Sequence, residues 1–150
     1  MPDYDSHERA RADFAWDLPE RYNPARYCLR SHENPGPADR TALVDAATGD
    51  HYSFRAIDEA AGRLATALAD RGVEPGDRVG VVAPQRPETP VTHLACWRLR
   101  AVTVPLTTPF GRDALAYRPD AARARDVVLA PSVRDHLAAA SPPAPALAAA

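Results

Sequence analysis

The sequence predicts an α/β fold, a partial doubly wound parallel sheet with a small N-terminal β-hairpin. Three observations predict it. Between residues 41 and 130, short apolar runs alternate with amphipathic stretches, ending in the order strand–helix–strand–helix–strand. The runs at 78–83 and 101–105 are apolar without alternation, as strands covered on both faces are. The segments between them are long enough for the helical crossover that a parallel pairing requires.

Each element has a local cause. Residues 1–23 read as a polar N-terminal arm, in which Phe14, Trp16 and Leu18 alternate and are expected to dock. Pro24 suits a first helical position, and Ala25, Cys28 and Leu29 recur with Tyr22 at helical spacing, so a short helix is predicted over 24–32. Asn34-Pro35-Gly36-Pro37 ends it. Thr41–Asp45 is a strand, Thr48-Gly49-Asp50 a turn and His51–Ser53 the returning strand. Ser53 caps a helix over 54–71, whose Phe54, Ile57, Ala61, Leu64, Ala65 and Leu68 form one stripe. Gly72 falls where a left-handed C′ residue belongs, and Glu74–Asp77 is a tight turn.

Arg78–Ala83 is then a buried strand and Pro84–Glu88 a loop. A second helix is predicted from about Pro90 to Leu99, with Val91, Leu94, Ala95 and Leu99 inward and Trp97 on the flank. Ala101–Pro105 is a strand, 107–111 a loop, 112–118 a short helix stopped by Pro119, and Asp126–Ala130 the third β run. From Ser141 the chain is Ala/Pro-rich, of a composition that cannot bury a core. The organisation is thus an arm at 1–23, an α/β unit at 24–131 and a disordered tail at 132–150.

The 150 residues suffice for one domain with a real core. All 18 basic residues are arginine and none is lysine, which removes any mechanism needing a lysine from this chain. The net charge is −2 and the pI about 6.2, so no nucleic-acid partner is expected. No apolar run reaches the roughly 18 residues of a membrane span, and no secretory signal is visible at the N-terminus. Two cysteines, far apart and outside any CxxC motif, fit reduced thiols in a cytoplasmic chain.

Chemistry-bearing patterns are sparse. The loop after the 78–83 strand has no glycine to wrap a phosphate, and neither GxGxxG nor GxxxxGK[ST] occurs. His93 with Cys96, and Cys28 with His32, could each share a ligand face, but no third or fourth ligand follows, so no metal is assigned. No serine lies in GxSxG, and Asp135-His136 has no nucleophile beside it. Asp58-Glu59 reads as a solvated helix face. Gln85, Arg86, Glu88, Thr107 and Thr108 are expected just beyond the carboxyl ends of the first two parallel strands, where open α/β sheets bind ligands, although capping is the simpler role for Glu88. No catalytic residue is assigned and cofactor-binding residues remain unassigned.

Several ordered motifs resemble one family. Tyr52-Ser53-Phe54, Arg63-Leu64-Ala65, Arg71-Gly72-Val73 and Pro75-Gly76-Asp77-Arg78-Val79 resemble the opening of the adenylate-forming (AMP-binding) enzymes. So do Pro84-Gln85-Arg86-Pro87-Glu88, His93–Leu99 and Ala101-Val102 with Val104-Pro105-Leu106. Phe110-Gly111, Asp113–Leu115 and Tyr117-Arg118, with Phe14, Trp16-Asp17, Pro19-Glu20 and Tyr22-Asn23, are similar to the acetyl- and medium-chain acyl-CoA synthetase branch. The resemblance spans about 14–130 and fades after Pro119, as a frame change near 119–131 would produce.

The resemblance implies the first subdomain of that fold. It implies a ligase of fatty acid metabolism, an AMP-forming acid–thiol ligase that converts a carboxylate to an acyl-adenylate and then a CoA thioester, with ATP, Mg2+ and CoA as cofactors. The family's Pro-Lys-Gly phosphate loop, adenine-binding segment, ribose-binding aspartate and catalytic lysine have no counterpart here, so no cofactor is expected for this chain alone. A truncated, inactive N-terminal part is the first reading, and whether the chain is itself an enzyme stays open. The alternative is a non-catalytic module that associates with a full-length relative or a complementary chain carrying the missing motifs. Two local departures stand out. Arg100 sits where the family has Gly, and Ala56 replaces the Glu of a capping box with Ser53.

Overall fold

The structure, a computed structural model, describes residues 6–29, 39–131, 133–134 and 146–148. The expected turn at 34–37 and the residues His32, Asp135 and His136 lie outside the described residues.

The arm is a helix followed by extended chain. α1 (His7–Asp13) is capped by Ser6, whose hydroxyl accepts from Arg9 N, and it buries no residue. The expected docking of the arm does not occur: Phe14, Trp16 and Leu18 are 60%, 78% and 65% exposed. Phe14 and Trp16 pack edge to face on each other instead, 5.0 Å between centroids. Packing begins at Asn23. Its Oδ1 accepts from Ala25 N and Arg26 N, capping α2 (Pro24–Leu29), and its Nδ2 donates to Trp97 O at 2.7 Å.

β1 (Thr41–Val44) and β2 (His51–Ser53) form the expected antiparallel hairpin, and Gly49 at φ 80° closes its turn. α3 (Phe54–Asp70) starts where Ser53 Oγ accepts from Ala56 N. It ends in Gly72 at φ 85°, whose N–H donates to Ala69 O. β3 (Arg78–Val82), β4 (Val102–Leu106) and β5 (Ala124–Leu129) are parallel, linked by α4 (Glu88–Arg98) and α5 (Arg112–Ala121). The sheet order is β4-β3-β5-β6, where β6 is Ala146–Ala148.

Successive side chains of each strand serve opposite faces. Val79 and Val128 join Ala65 and Leu68 of α3 with Ala95 and Cys96 of α4. Val82, Val127, Leu129 and Leu106 join Leu115 of α5 on the other face. The sheet is therefore covered on both sides, as a doubly wound fold requires. A third cluster seats Ala25 and Leu29 of α2 on Ile57, Ala61 and Leu94. β3 and β5 approach closely at Gly80, where a Cβ would meet Val127 Cγ1 at a tight 3.2 Å.

One buried charge ties the layers together. Asp126 is 2% exposed. It accepts from Arg71 Nε at 2.5 Å, from Arg71 Nη2 at 3.3 Å and from Val127 N at 2.8 Å. The pair clamps the end of α3 to β5. Asp126 holds the Arg71 guanidinium above its ordinary range, chiefly through the hydrogen bond.

Two further expectations are corrected. α4 begins at Glu88, two residues before Pro90, because Pro87 already has helical angles and Val91 N reaches its carbonyl at 3.3 Å. Pro119 does not stop α5. It lies inside the helix, buried, and removes only the amide that would reach Leu115 O, while Ala122 N still donates to Arg118 O. Of the stretch expected as a disordered tail, 132–150, the described residues 146–148 form β6 (Ala146–Ala148), parallel to β5 with Val127 opposite Ala146. Strand pairing uses backbone groups, so the short segment Ala146-Leu147-Ala148 can serve.

Candidate functional site

Open α/β sheets bind ligands where successive crossovers diverge. In the order β4-β3-β5 that point lies between the carboxyl ends of β3 and β5. It holds Ala83, Pro84, Ala130 and Pro131, and Ala130 N donates to Val82 O at 2.9 Å across it. No titratable side chain comes from these four positions.

The polar loop residues expected there are divided. Gln85 and Arg86 turn toward the hairpin and line a cleft of about 570 Å³ between β1, the β3–α4 loop and α4. Thr107 and Thr108 do not line it; Thr107 O accepts from Phe110 N at the start of the next turn. Glu88 caps nothing with its side chain: the α4 start has no side-chain cap bond, and its carbonyl accepts from Thr92 Oγ1 at 2.7 Å. Its carboxylate lies 3.9 Å from Arg86 Nε.

The cleft walls are Leu43, Val44, Pro87, Pro90, Leu94 and Trp97. Cys28, Asp45, Ala46, Gln85, Arg86, Thr89 and His93 complete the lining. Asp45 is 3% exposed at the end of β1. Its backbone donates to Asp50 O and accepts from Gly49 N, and Oδ1 accepts from Ala47 N at 2.9 Å, so one face of the residue builds the hairpin turn. Its Oδ2 is buried and accepts no hydrogen bond. Arg86 Nη2 lies 3.3 Å from it, an ion pair without hydrogen-bond alignment.

On α4, His93 Nδ1 contacts Thr89 O at 2.8 Å. A carbonyl only accepts, so Nδ1 carries the proton and Nε2 of the neutral ring is left as an acceptor. The ring meets Trp97 edge to face at 5.8 Å. Thr89 Oγ1 donates to Pro84 O at 2.7 Å and fixes the loop against the helix. Asp45 is the residue that sequence reasoning missed: an Asp before a Thr-Gly turn signals a turn, and nothing local signals its burial.

The remaining sequence candidates separate. Cys96 is fully buried, and desolvation pushes its thiol from 9.0 to about 12. Cys28 is exposed, and both thiols are free. Asp58 is not a solvated helix-face carboxylate: it pairs with Arg98 across α3 and α4. Among the described residues no group of three His, Cys, Asp or Glu is placed to hold a metal. No described helix is long and apolar enough to cross a membrane.

A phosphate cradle does not fit the β3–α4 loop. Pro84, Pro87 and Pro90 lack N–H groups. Arg86 N donates to Pro84 O and Thr89 N to Arg86 O, so two of the remaining amides are already used. A nucleotide phosphate would find few donors at this helix start.

Comparison with known proteins gives a consistent picture. The family model for AMP-binding enzymes matches residues 30–149. The match runs past Pro119 and through the Ala/Pro stretch. Acetyl-coenzyme A synthetase of Streptomyces coelicolor is 34% identical over 118 residues, covering 77% of this chain and 18% of the relative. That of Halorhodospira halophila is 38% identical over 111 residues, covering 71% and 17%. Among solved structures, ATP-bound MatB from Rhodopseudomonas palustris superposes with TM-score 0.69 at 32% identity, covering 83% of this chain and 25% of that one. Brucella canis acyl-CoA synthetase gives TM-score 0.79 at 26% identity, covering 97% and 29%. The chain spans under a fifth of the length of these curated relatives.

Proposed function

The chain belongs to the AMP-binding enzyme family, and we propose that it forms the N-terminal part of an ATP-dependent acyl-CoA synthetase without turnover of its own. The observation that carries this reading is the alignment with acetyl-coenzyme A synthetase, 34% identical across most of this chain yet only 18% of the relative. In this reading ATP, Mg2+ and CoA belong to residues outside these 150, in the cytoplasm and in the service of fatty acid metabolism. Two features of the chain itself support the inactivity. It has no lysine to meet a carboxylate or phosphate, and its β3–α4 loop has prolines where a phosphate needs amides.

The test is pyrophosphate exchange into ATP by the purified chain with acetate or butyrate. No exchange above a protein-free blank is expected, and measurable exchange overturns the reading.

A second reading has its own observation. Phe14, Trp16, Leu18, Tyr22 and Tyr27 are all about half or more exposed, and aromatic residues of this kind anchor protein interfaces. The chain then acts as a non-catalytic module bound to a chain carrying the remaining family motifs. Co-purification with such a chain is expected. A monomer that fails to bind it overturns the second reading and leaves the first intact.

A further inference from the structure

The cleft between the hairpin and α4 belongs to neither reading above. Two of its lining residues present acceptors to it. Asp45 Oδ2 is buried, unbonded and part of a residue lining the cleft. His93 Nε2 is left with its lone pair because Nδ1 is spent on Thr89 O. The one cation, Arg86, stands between two carboxylates, 3.3 Å from Asp45 Oδ2 and 3.9 Å from Glu88 Oε2. Asp45 is the one carboxylate of the lining, and Glu88, outside it, draws on the same guanidinium. Arg86 is itself 47% exposed and misaligned for a bond to Asp45, so its hold on that oxygen is weak. Behind these groups Leu94, Pro90 and the Trp97 ring supply an apolar wall. The volume of about 570 Å³ lies within the range that small-molecule clefts occupy.

We propose that this cleft binds a small cationic ligand, an ammonium or amidinium group carried on a flat apolar body. The cation takes the place of Arg86 Nη2, 3.3 Å from the buried Asp45 Oδ2, and donates to that oxygen and to His93 Nε2, and the body packs on Leu94 and Trp97. A buried carboxylate oxygen lacking a hydrogen bond is costly, and a charged donor removes that cost more fully than a loosely held arginine. An anionic ligand would face the Asp45 carboxylate and is disfavoured.

Benzamidine is the probe, with benzamide as its neutral isostere and benzoate as its anionic one. The chain has two tryptophans, Trp16 and Trp97, so Trp16→Phe in the full chain makes Trp97 the sole indole reporter. Saturable change of Trp97 emission by benzamidine is expected, with at least about tenfold weaker responses to benzamide and benzoate. Asp45→Asn should weaken benzamidine by about tenfold. Asp45 also builds the hairpin turn, so Arg86→Gln is the second variant. It removes the competing cation and should tighten benzamidine binding several-fold, the opposite of what a merely supporting arginine would give. No saturable response, equal binding of benzoate, or weaker binding in Arg86→Gln overturns the proposal. None of these outcomes depends on adenylate chemistry, so failure here leaves the synthetase reading untouched.

Discussion

Two arginines occupy conformations that arginine avoids. Arg100 has φ 61° and Arg123 φ 51°, each one residue past the cap of a helix, α4 and α5. Gly72 fills the same role after α3 without strain. The backbone carbonyl of Arg100 accepts from Gly76 N, and that of Arg123 from Arg78 Nη2, so both are held in place by partners that glycine would keep. Arg100→Gly and Arg123→Gly should each stabilise the fold by about 0.5–1 kcal/mol, read from urea midpoints at unchanged slope. Cys96 makes a second residue-scale prediction. Burial raises its thiol from 9.0 to about 12, so the folded chain keeps a proton that the unfolded chain gives up. Its contribution is complete below about pH 9 and is lost as pH rises from 9 toward 12. Alkaline titration of stability should fall more steeply in the native chain than in Cys96→Ala, and Cys28 alone should react with a thiol reagent in the folded state.

At the scale of elements, what was legible in the sequence was what local chemistry decides. α3 is the clearest case. Ser53, the stripe through Ile57, Ala61, Ala65 and Leu68, and Gly72 give cap, face and end, and all lie within about twenty residues. Ala56, in place of the capping-box glutamate, leaves the Ser53 bond to Ala56 N as the side-chain cap of this start. Ser53→Ala should therefore cost about 1 kcal/mol and Ala56→Glu should gain about 0.5 kcal/mol, both measurable by chemical denaturation. Elements decided by distant partners were not legible. β6 exists because the β5 edge offers backbone groups to residues 146–148, which no periodicity of alanines announces. Pro119 reads as a stop, yet burial of α5 through Leu115 carries the helix past it. The candidate site shows the same division. Gln85 and Arg86 were legible from their place after a parallel strand. Asp45 was not, because its burial depends on a meeting with a loop some forty residues away.

At the scale of the molecule, the described structure separates into a packed unit and an unpacked arm. Asn23 marks the boundary, with its bond to Trp97 O and its cap on α2. Before it, α1 buries nothing and Phe14, Trp16 and Leu18 face solvent. Stability follows apolar area removed from water, so the arm should add little to it. Deleting residues 1–19 should change the unfolding free energy by less than about 0.5 kcal/mol, with circular dichroism losing only the short α1 contribution. A loss near 2 kcal/mol would mean that the arm docks on the domain after all. If the arm instead meets a complementary chain, Trp16→Ser should abolish that association while leaving the melting temperature of the isolated chain unchanged. That pairing of outcomes, binding lost and stability kept, separates an interface from a core. It follows from the 78% exposure of a tryptophan that contacts only Phe14 among the described aromatic pairs.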